Sequence, residues 1–222
     1  MAGQTTIIYI SHRQQREWED ALNCRPQGLI IYNPVRIMPE DSTLPRHTAL
    51  RIGYIGRFAA LKNIPVIIEA FLRYRRRHPE SELWLCGAGD ESEKNKMEKQ
   101  CPPGSGIRVL LQTGDVAAFY HQIDILLLPS LSETMPLVTI EAMSAGVCVI
   151  QTTQSGMSEL YEGGKDCLFV APRHIEDWED ALEKCSDNSF RAYLAQNGQQ
   201  KTMHYDFNRL FETKIKELTC EL

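Results

Sequence analysis

The stretch RIGYIGRFAALKNIPVIIEAFLRYRRR, Arg51–Arg77, decides the fold of this chain. It opens with a short apolar run, Arg51–Ile55, turns at Gly56 and continues in a helical pattern over Lys62–Arg77. On that helix the apolar residues recur at intervals of three and four, which is the signature of one buried face; they are Ile64, Ile67, Ile68, Phe71 and Tyr74. The stretch therefore predicts a strand, a glycine turn and a helix that packs on a sheet.

The same alternation of strand and helix continues along the chain. Further apolar runs of strand length are Leu83–Cys86, Arg108–Leu111, Ile123–Leu128, Val147–Gln151 and Cys167–Val170. Strands separated by helices imply right-handed crossovers and a parallel sheet, and nearly continuous apolar runs indicate that both of its faces are covered. We therefore predict an α/β fold with a doubly wound, Rossmann-like parallel sheet. A helical tail is predicted from about residue 174, with helices over Ile175–Cys185, Phe190–Gln200 and Phe207–Leu218.

The first 45 residues have a different organisation. Their pattern predicts a strand over Thr5–Ile10, a helix over about His12–Leu22, a strand over Leu29–Tyr32 and then a linker with three prolines, Pro34, Pro39 and Pro45. A single strand–helix–strand unit cannot cover its own apolar face, so this unit needs a neighbour. The expected division is residues 1–45 as an adjoining unit with its linker, and residues 46–222 as one domain.

Composition narrows the class of protein. Hydrophobic residues make up 43% and charged residues 24% of the 222 residues, as in ordinary globular domains. The net charge of −5 argues against a nucleic-acid binder, which is usually basic. The seven cysteines form no CxxC pair, which predicts free thiols in a reducing compartment. No run approaches the roughly 20 apolar residues of a transmembrane helix, so we expect a cytoplasmic protein.

Ligands of open parallel sheets bind outside the carboxyl ends of the strands, and three loops there carry unusual residues. The loop Gly56–Lys62 places the cations Arg57 and Lys62 at the start of a helix, where the helix dipole disfavours them. Two cations there point to a bound polyanion such as a diphosphate. Two solvated surface side chains are the alternative. The second loop, with Gly87 and Gly89, is a weak signal that a simple tight turn explains equally well.

The third loop is the strongest signal and runs through Leu128–Met143. Pro136 suits the first turn of a helix, so Glu133 falls in the loop and Glu141 inside the helix. A carboxylate in a largely apolar helix needs a hydrogen-bonded partner, and sugar or ribose hydroxyls are suitable ones. Alternatively, Glu133 is an N-terminal helix charge and Glu141 a solvated side chain.

These motifs, in this order, resemble a known family. The series Gly56-Arg57-x4-Lys62, then Gly87/Gly89, then PSxxE-x7-EAM with Gly146 following, is similar to the C-terminal domain of family-4 GT-B glycosyltransferases, also called glycosyl transferases group 1. The resemblance runs from about Leu50 to Pro172, and the segment around Tyr205–Leu218 resembles the family's closing helix. It implies that residues 1–45 are a remnant of the N-terminal domain plus linker, and that most of the acceptor-binding half is missing.

The resemblance also implies roles for individual residues. Arg57 and Lys62 would hold the diphosphate of a nucleotide-sugar donor, such as a UDP-sugar, and stabilise it as it leaves. Glu133 would contact the donor sugar near its reacting carbon, and Glu141 would bind the ribose hydroxyls. The other expected donor contacts are Gly56, Gly87, Gly89, Val116 near the base, Met135, and the main-chain amides of Leu137 and Val138. The family's reaction retains the anomeric configuration. We expect neither a cofactor nor a metal, because no DxD motif and no histidine ligand spacing occur.

Two departures from the family pattern affect these expectations. Glu133-Thr134-Met135-Pro136 replaces a glycine-rich segment, and Pro136 removes an amide donor. Ser155-Gly156 replaces a common Gly-Gly pair. The loss of the amide at Pro136 is expected to alter the contacts to the sugar, and the change at Ser155 is expected to matter less.

Two functions stay open at this stage. The chain is either the donor half of a glycosyltransferase, completed by a further segment, a separate subunit or a second copy, or an inactive module that binds a sugar nucleotide. The acceptor implied by the resemblance is a saccharide or a lipid-linked molecule, as in polysaccharide assembly. The basic run Arg73–His78 suits the end of a helix, or alternatively a peripheral contact with anionic lipid at the inner membrane face.

Overall fold

The computed structural model describes residues 7–26, 28–38, 49–111, 114–204 and 207–220. In chain order its elements are β1 (Ile7–Tyr9), α1 (His12–Leu22), β2 (Gly28–Ile30), β3 (Arg51–Gly56), α2 (Ile64–Arg75), β4 (Glu82–Gly87), α3 (Glu91–Glu98), β5 (Ile107–Leu111), α4 (Val116–Tyr120), β6 (Ile125–Leu128), α5 (Leu137–Ser144), β7 (Cys148–Thr152), β8 (Leu168–Val170), α6 (Ile175–Ser186), α7 (Asn188–His204) and α8 (Phe207–Cys220). Short 3-10 helices cover Ala60–Lys62 and Gly156–Glu159.

The predicted doubly wound sheet is confirmed. Strands β3 to β8 form a six-stranded sheet in the order β5-β4-β3-β6-β7-β8, and every pairing in it is parallel. Each of the six strands predicted from apolar runs is present. The chain builds outward from β3 to one edge and then returns to continue from β6 to the other. The switch point of the topology therefore lies between β3 and β6, where open α/β sheets bind their ligands.

Helices cover both faces of this sheet. On one face, α2 and α6 bury residues such as Phe71, Tyr74 and Trp178 against Tyr54 and Leu85 of the strands. On the other face, α4 and α5 pack on the sheet through side chains that include Phe119, Tyr120, Ile140 and Met143. The predicted apolar face of α2 is buried: Ile64, Ile67, Ile68, Phe71 and Tyr74 are each at most 6% exposed. Two packed layers thus hold the strand ends in a fixed relation.

The predicted helix over Lys62–Arg77 is wrong at both ends. Lys62 closes a 3-10 turn, Asn63 adopts the left-handed conformation with φ 52°, and α2 begins only at Ile64. At the other end α2 stops at Arg75. A residue at positive φ cannot continue an α-helix, so Lys62 belongs to the loop. Likewise Pro136 is the N-cap of α5, one residue before its first turn.

The first segment forms a separate two-stranded parallel sheet. Strands β1 and β2 pair with Ile8 opposite Leu29, and α1 connects them. Residues 5 and 6 of the predicted first strand lie outside the described part of the chain. Four apolar side chains of the segment, which we call the apolar face, are exposed by 38–54%: Ile8, Trp18, Leu22 and Leu29. This matches the expected uncovered surface of a lone strand–helix–strand unit.

Glu159, the last residue of the 3-10 helix after β7, connects α1 to the main domain through hydrogen bonds. Its carboxylate accepts hydrogen bonds from the backbone N–H of His12, at 2.9 Å, and from that of Arg13. These are amides that the first turn of a helix cannot satisfy internally. Beyond β2, Val35 and Met38 are buried against the main domain, and the Met38 N–H donates to Ser144 Oγ at 2.8 Å. Pro39 and Pro45 of the predicted linker lie outside the described residues.

The basic run at the end of α2 pairs with acidic residues of α6. Arg77 binds Glu179 and Glu183 at 2.9 and 3.1 Å, and His78 lies 3.1 Å from Glu183. Arg73 binds Glu69 within α2 and Glu176 of α6. The run therefore builds a contact between two helices. No helix within the described ranges is long and apolar enough to cross a membrane.

The thiols whose side chains are described are free, as the sequence predicts. Four of them are buried: Cys86, Cys148, Cys167 and Cys185. Burial raises the pKa of the Cys86 thiol to about 11 and that of the Cys167 thiol to about 12, because the thiolate would lose its hydration. Cys101 is partly buried, while Cys24, just beyond the C-terminal end of α1, is exposed.

Candidate functional site

The site lies at the carboxyl ends of β3 and β6, on either side of the switch point. The loop that follows β3 carries Lys62, and the loop that follows β6 carries Glu133. Lys62 Nζ lies 2.6 Å from Glu133 Oε1, and Ser130 Oγ donates to the same oxygen at 2.6 Å. The Lys62 side chain is 21% exposed and that of Glu133 is 12% exposed. Two residues 71 positions apart in the sequence thus meet in one partly screened ion pair.

Asn63 fixes the Lys62 loop in place. Its side-chain amide donates to the carbonyl of Pro129, at 3.2 Å, and to that of Pro172. A backbone hydrogen bond of 2.9 Å from Leu131 N to Leu61 O runs beside it. The loops that follow β3, β6 and β8 are therefore tied together directly next to the ion pair. Asparagine also tolerates the left-handed conformation that the turn requires.

The Glu133 loop is held from the other side by the loop after β7. The Glu133 N–H donates to Gln154 O at 2.8 Å, and the Gly156 N–H donates to Glu133 O at 3.2 Å and to Thr134 O at 3.1 Å. A Cβ atom on Gly156 would lie 2.1 Å from Thr134 O. Only glycine permits this approach, because real Cβ atoms do not come so close to a carbonyl oxygen.

Arg57 is exposed at the rim of the site, and its backbone is anchored from below. The Tyr54 hydroxyl donates to Arg57 O at 2.8 Å, while Gly56 makes the turn with φ 150°. Burial chiefly, and then the charge of Glu133, raise the pKa of Tyr54 well above its usual value, while Arg57 partly offsets this. Tyr54 therefore remains a protonated donor between the cation loop and Glu133.

Helix α5 begins at Leu137, four residues after Glu133 and at the end of the same loop. Pro136, its N-cap, supplies no side-chain acceptor within the described residues, and Leu137 and Val138, the first helical residues, are partly exposed. Amides in the first turn of a helix lack intrahelical partners and favour an anion. The Met135 side chain, by contrast, is only 6% exposed and belongs to the core. Of Met135, therefore, the main chain is the part available to a ligand.

Glu141 has a partner that the sequence pattern did not indicate. The Tyr120 hydroxyl, from α4, donates to Glu141 Oε2 at 2.9 Å. Tyr120 is fully buried, and burial together with the charge of Glu141 raises its pKa far above the usual value. Glu141 itself is partly exposed. One of its oxygens is thus oriented by a buried hydroxyl that stays protonated.

A cavity of about 300 Å³ lies beside β4, β5 and α4. Val116, the first residue of α4, lines it, and its other walls include Trp84, Cys86, Leu111, Asp115 and Phe119. Apolar side chains form most of its wall, and Glu91, Lys94, Asp115 and Gln122 add polar groups; Asp115 is also the N-cap of α4. An apolar wall with a few polar groups is typical of a site for a small organic ligand.

The two glycines after β4 differ in their surroundings. A Cβ atom on Gly87 would lie 2.2 Å from the Phe58 ring, whereas one on Gly89 would meet the carboxylate of Glu93 at 2.2 Å. Gly87 therefore allows the cation loop to close over β4. Gly89 is exposed in the turn before α3, close to the other loops at this edge of the sheet.

The structure brings the predicted residues to one edge of the sheet and adds four others, Tyr54, Asn63, Tyr120 and Ser130. Ser130 was visible in the sequence as the serine of PSxxE. The other three act through hydrogen bonds to residues distant in sequence or through a backbone conformation, and local patterns do not reveal either. Within the described ranges no three His, Cys, Asp or Glu residues group as metal ligands would, and the expectation of a metal-free site stays a prediction.

Comparisons with known proteins identify the family of this chain. The model of the family described as "Glycosyl transferases group 1" matches residues 49–188. An uncharacterised glycosyltransferase of Haemophilus influenzae is 23% identical over 205 residues, which cover 90% of this chain and 57% of that protein. A D-inositol 3-phosphate glycosyltransferase of Corynebacterium jeikeium is 30% identical over 143 residues, or 60% of this chain and 34% of that protein.

Solved structures share the fold. Anabaena HepE in complex with UDP-glucose superposes with a TM-score of 0.84 at 18% identity, over 97% of this chain and 64% of HepE. Sucrose-phosphate synthase from Thermosynechococcus elongatus gives a TM-score of 0.81 at 19% identity, over 97% of this chain and 58% of the synthase. The chain thus spans little more than half the length of several proteins it matches.

Proposed function

We propose, since this chain belongs to the glycosyl transferases group 1 family, that its central sheet is the donor-binding part of an enzyme that transfers a sugar from a nucleotide sugar to an acceptor. The observation that carries the proposal is the meeting of Lys62 and Glu133 at the switch point between β3 and β6. A cation for phosphate and a carboxylate for hydroxyl groups stand there side by side, 2.6 Å apart. A nucleotide sugar carries both of these groups next to one another.

The diphosphate is assigned to the cations and to α5. Arg57 is exposed and Lys62 lies five residues on in the same loop, while Leu137 and Val138 open the helix that follows the Glu133 loop. A helix N-terminus adds about half a positive charge to such a site. Together these groups would stabilise the negative charge that grows on the diphosphate as the sugar leaves, which is typically the largest catalytic contribution of a preorganised site.

The donor sugar is assigned to Glu133 and the ribose to Glu141. Glu133 has hydrogen-bond acceptor capacity beyond Ser130 and Lys62, because each of its oxygens has two lone pairs. Glu141 is already oriented by Tyr120, so its other oxygen can accept from a ribose hydroxyl. The base is assigned to the cavity beside Val116, and the turn at Gly87 and Gly89 is placed at the rim of the same groove.

The reaction follows from these assignments. The bond between the anomeric carbon and the diphosphate oxygen breaks, a bond from that carbon to an acceptor oxygen forms, and the proton of the acceptor hydroxyl passes to the departing diphosphate. Transfer with retention of the anomeric configuration is part of this proposal. The acceptor is proposed to be a saccharide or a lipid-linked saccharide. The proposal includes no metal, in keeping with the absence of a DxD motif from the sequence.

The acceptor side requires more protein than the central sheet provides. Residues 1–45 are proposed to be the end of an N-terminal domain plus its linker, and residues 46–222 the donor domain. The apolar face on β1, β2 and α1 is the surface that a completing half or a second copy would cover. The second candidate function is a sugar-nucleotide-binding module that acts without a completing half. It is favoured by the observation that the chain matches about 57% of the Haemophilus relative.

A thermal-shift titration with UDP, GDP and ADP tests the donor site. UDP has first place, because UDP and UDP-glucose are bound in the solved Anabaena HepE complexes. A ligand at 100 times its Kd should raise the free energy of unfolding by about 2.7 kcal/mol, which corresponds to a shift of several degrees in Tm. The shift should occur with one nucleotide and should be lost in Glu141→Ala and Arg57→Ala.

The outcomes separate the candidates. Binding together with transfer of sugar to water or to an added acceptor supports the enzyme, whereas binding without transfer supports the module or a split enzyme. A shift that survives both substitutions would place the nucleotide elsewhere. No shift with any of the three nucleotides would overturn the proposed donor site in this chain.

A further inference from the structure

Lys62 and Glu133 satisfy each other's charge, although the proposed function assigns them to different parts of the donor. The pair is 2.6 Å long and its side chains are 21% and 12% exposed. Two charges that are partly removed from water interact more strongly than a surface pair. If one partner is removed, the other remains as an unpaired, partly buried charge, which costs free energy. A ligand whose phosphate binds Lys62 therefore leaves the Glu133 carboxylate without its ion-pair partner, and binding is weakened unless the ligand supplies a replacement.

The backbone offers no easy way to separate the two residues. Leu131 N donates to Leu61 O at 2.9 Å, and the Asn63 amide holds the carbonyls of Pro129 and Pro172. These contacts fix the loop of Lys62 against the loop of Glu133. A ligand can thus draw away the Lys62 ammonium group by rotating its side chain, but it cannot move the carboxylate far.

A nucleoside diphosphate without a sugar meets an unfavourable site. Its phosphates bring two or more negative charges to Lys62, close to the carboxylate of Glu133. Of the described hydrogen bonds to its side chain, the Glu133 carboxylate then keeps only the one from Ser130 Oγ, while the like charges repel. The free diphosphate supplies no hydrogen-bond donor to replace the ammonium group.

A nucleotide sugar meets the same site with compensation. Its sugar carries hydroxyl groups that donate hydrogen bonds to Glu133 at the moment when its diphosphate takes Lys62. Hydrogen bonds to a charged acceptor are the strong ones. The hydrogen bonds from the sugar therefore replace the contact with Lys62 that the Glu133 carboxylate loses to the diphosphate.

We infer that the Lys62–Glu133 ion pair makes this site select sugar nucleotides over the nucleoside diphosphate that remains after transfer. The inference rests on the proposed function and adds to it the way in which the site tells donor from product. Glu133 is, on this account, a specificity-determining residue as well as a sugar contact. Release of the product is helped because Lys62 returns to Glu133.

Isothermal titration calorimetry of Glu133→Gln tests the inference, with UDP and UDP-glucose as probes. The substitution keeps the shape of the side chain and removes the charge. UDP should bind about five- to tenfold more tightly than to the unchanged protein, because Lys62 is released and the repulsion is gone. The preference for UDP-glucose over UDP should fall by about tenfold or more, since a hydrogen bond to a charged acceptor is also lost.

Ser130→Ala is the matched control. It removes the second hydrogen bond to the same Glu133 oxygen but leaves both charges in place, so UDP should bind no more tightly than before. If the thermal-shift titration selects another base, that diphosphate and its sugar nucleotide replace the UDP pair. Circular dichroism checks that each variant is folded.

Unchanged or weaker UDP binding by folded Glu133→Gln would overturn the inference and leave the proposed donor site standing. Failure of every nucleotide to bind the unchanged protein would overturn both. Glu133→Asp covers the case in which Glu133→Gln does not fold. Its shortened carboxylate weakens the contact with Lys62, so UDP should again bind more tightly, by a smaller factor, and unchanged affinity would contradict the inference.

Discussion

At the scale of single residues, Asn63 has a large part in fixing the positions of the loops around the site. It holds a left-handed turn with φ 52° and donates from one amide group to carbonyls of two other loops. Substitution by glycine keeps the turn and removes both hydrogen bonds, which should lower the free energy of unfolding by about 1–2 kcal/mol. Substitution by aspartate keeps the shape and turns a donor into an acceptor that faces carbonyl oxygens, so Asn63→Asp should lose more.

Urea denaturation of Asn63→Gly and Asn63→Asp measures this order. Both variants tolerate positive φ and both lose the two hydrogen bonds, so the loss in Asn63→Gly reports the hydrogen bonds and the further loss in Asn63→Asp reports repulsion between its carboxylate and the two carbonyl oxygens. An unchanged stability in Asn63→Gly would show that the amide contacts contribute little.

The residues of the site divide by the kind of signal they leave in the sequence. Arg57, Lys62 and Glu133 were predicted because their motifs place charged groups in loops that follow strands, and Glu141 because it is a carboxylate inside a largely apolar helix. Tyr120 was missed because its role is to donate a hydrogen bond to Glu141, which is 21 residues away in the sequence and lies on another helix. The spacing of residues in the sequence indicates which side chains are close within one element. Partners on different elements come together only when the chain folds.

At the scale of elements, the short 3-10 helix Gly156–Glu159 links α1 to the Glu133 loop. Gly156 lies against Thr134 O, where a Cβ atom would be 2.1 Å from the oxygen. Gly156→Ala should therefore displace this loop and lower the free energy of unfolding by about 1–3 kcal/mol. It should also weaken nucleotide binding, because the Glu133 backbone moves with the loop.

Gly114→Ala provides the comparison for stability. A Cβ atom on Gly114 meets nothing within 4 Å among the described atoms, so that variant should stay within about 0.5 kcal/mol of the unchanged protein. Thermal and urea unfolding of the two alanine variants measure the difference. Similar stability in both would mean that the loop adapts at little cost.

Strand positions were predictable from the sequence, and helix starts were less so. The six strands of the sheet are largely apolar runs whose composition identifies them directly, and β3, β4, β6 and β7 are mostly buried. The start of α2 was misplaced because the left-handed turn at Asn63 is stabilised by Pro129 and Pro172, which lie 66 and 109 residues away. A helical pattern in the side chains does not reveal where such non-local contacts interrupt the backbone.

At the scale of the whole molecule, the apolar face predicts self-association. Ile8, Trp18, Leu22 and Leu29 are exposed on a small two-stranded sheet and its helix, and burying them in a partner removes apolar surface from water. We expect size-exclusion chromatography with light scattering to show a mass that rises with concentration. A Trp18→Glu and Leu22→Lys double variant should be monomeric.

Tyr193→Lys serves as the control for this experiment, because Tyr193 is exposed by 48% on α7, outside the apolar face. It should leave the concentration dependence unchanged. A sharp monomeric peak from the unchanged chain at all concentrations would contradict the prediction.

Alkaline pH should destabilise the protein through its buried acids. The pKa of Cys86 is raised to about 11 from 9.0 and that of Tyr74 to about 12 from 10.0, in both cases chiefly by burial. The unfolded chain releases these protons at the ordinary pKa, whereas the folded chain keeps them. The stabilisation is therefore complete below pH 9 and is lost as the pH rises toward 11 or 12.

Urea denaturation at pH 8, 9 and 10 measures this loss. Each such group contributes at most about 1.4 kcal/mol per pH unit to the slope. Cys86→Ala removes one of them and should flatten the decline above pH 9, whatever its stability at pH 8. An equally steep decline in Cys86→Ala would exclude Cys86 as a contributor.

The exposure of a single thiol at the end of α1 has a practical consequence. Of the cysteines whose side chains the structure describes, Cys24 is exposed, Cys101 is partly buried and the other four are buried. A maleimide added to the folded protein should therefore react at Cys24, two residues beyond Leu22, before it reacts at the other five cysteines whose side chains are described. One sulfur atom offers a chemical handle beside the apolar face, so that a fluorophore, a bulky polymer or an affinity label can be attached there without touching Lys62 or Glu133.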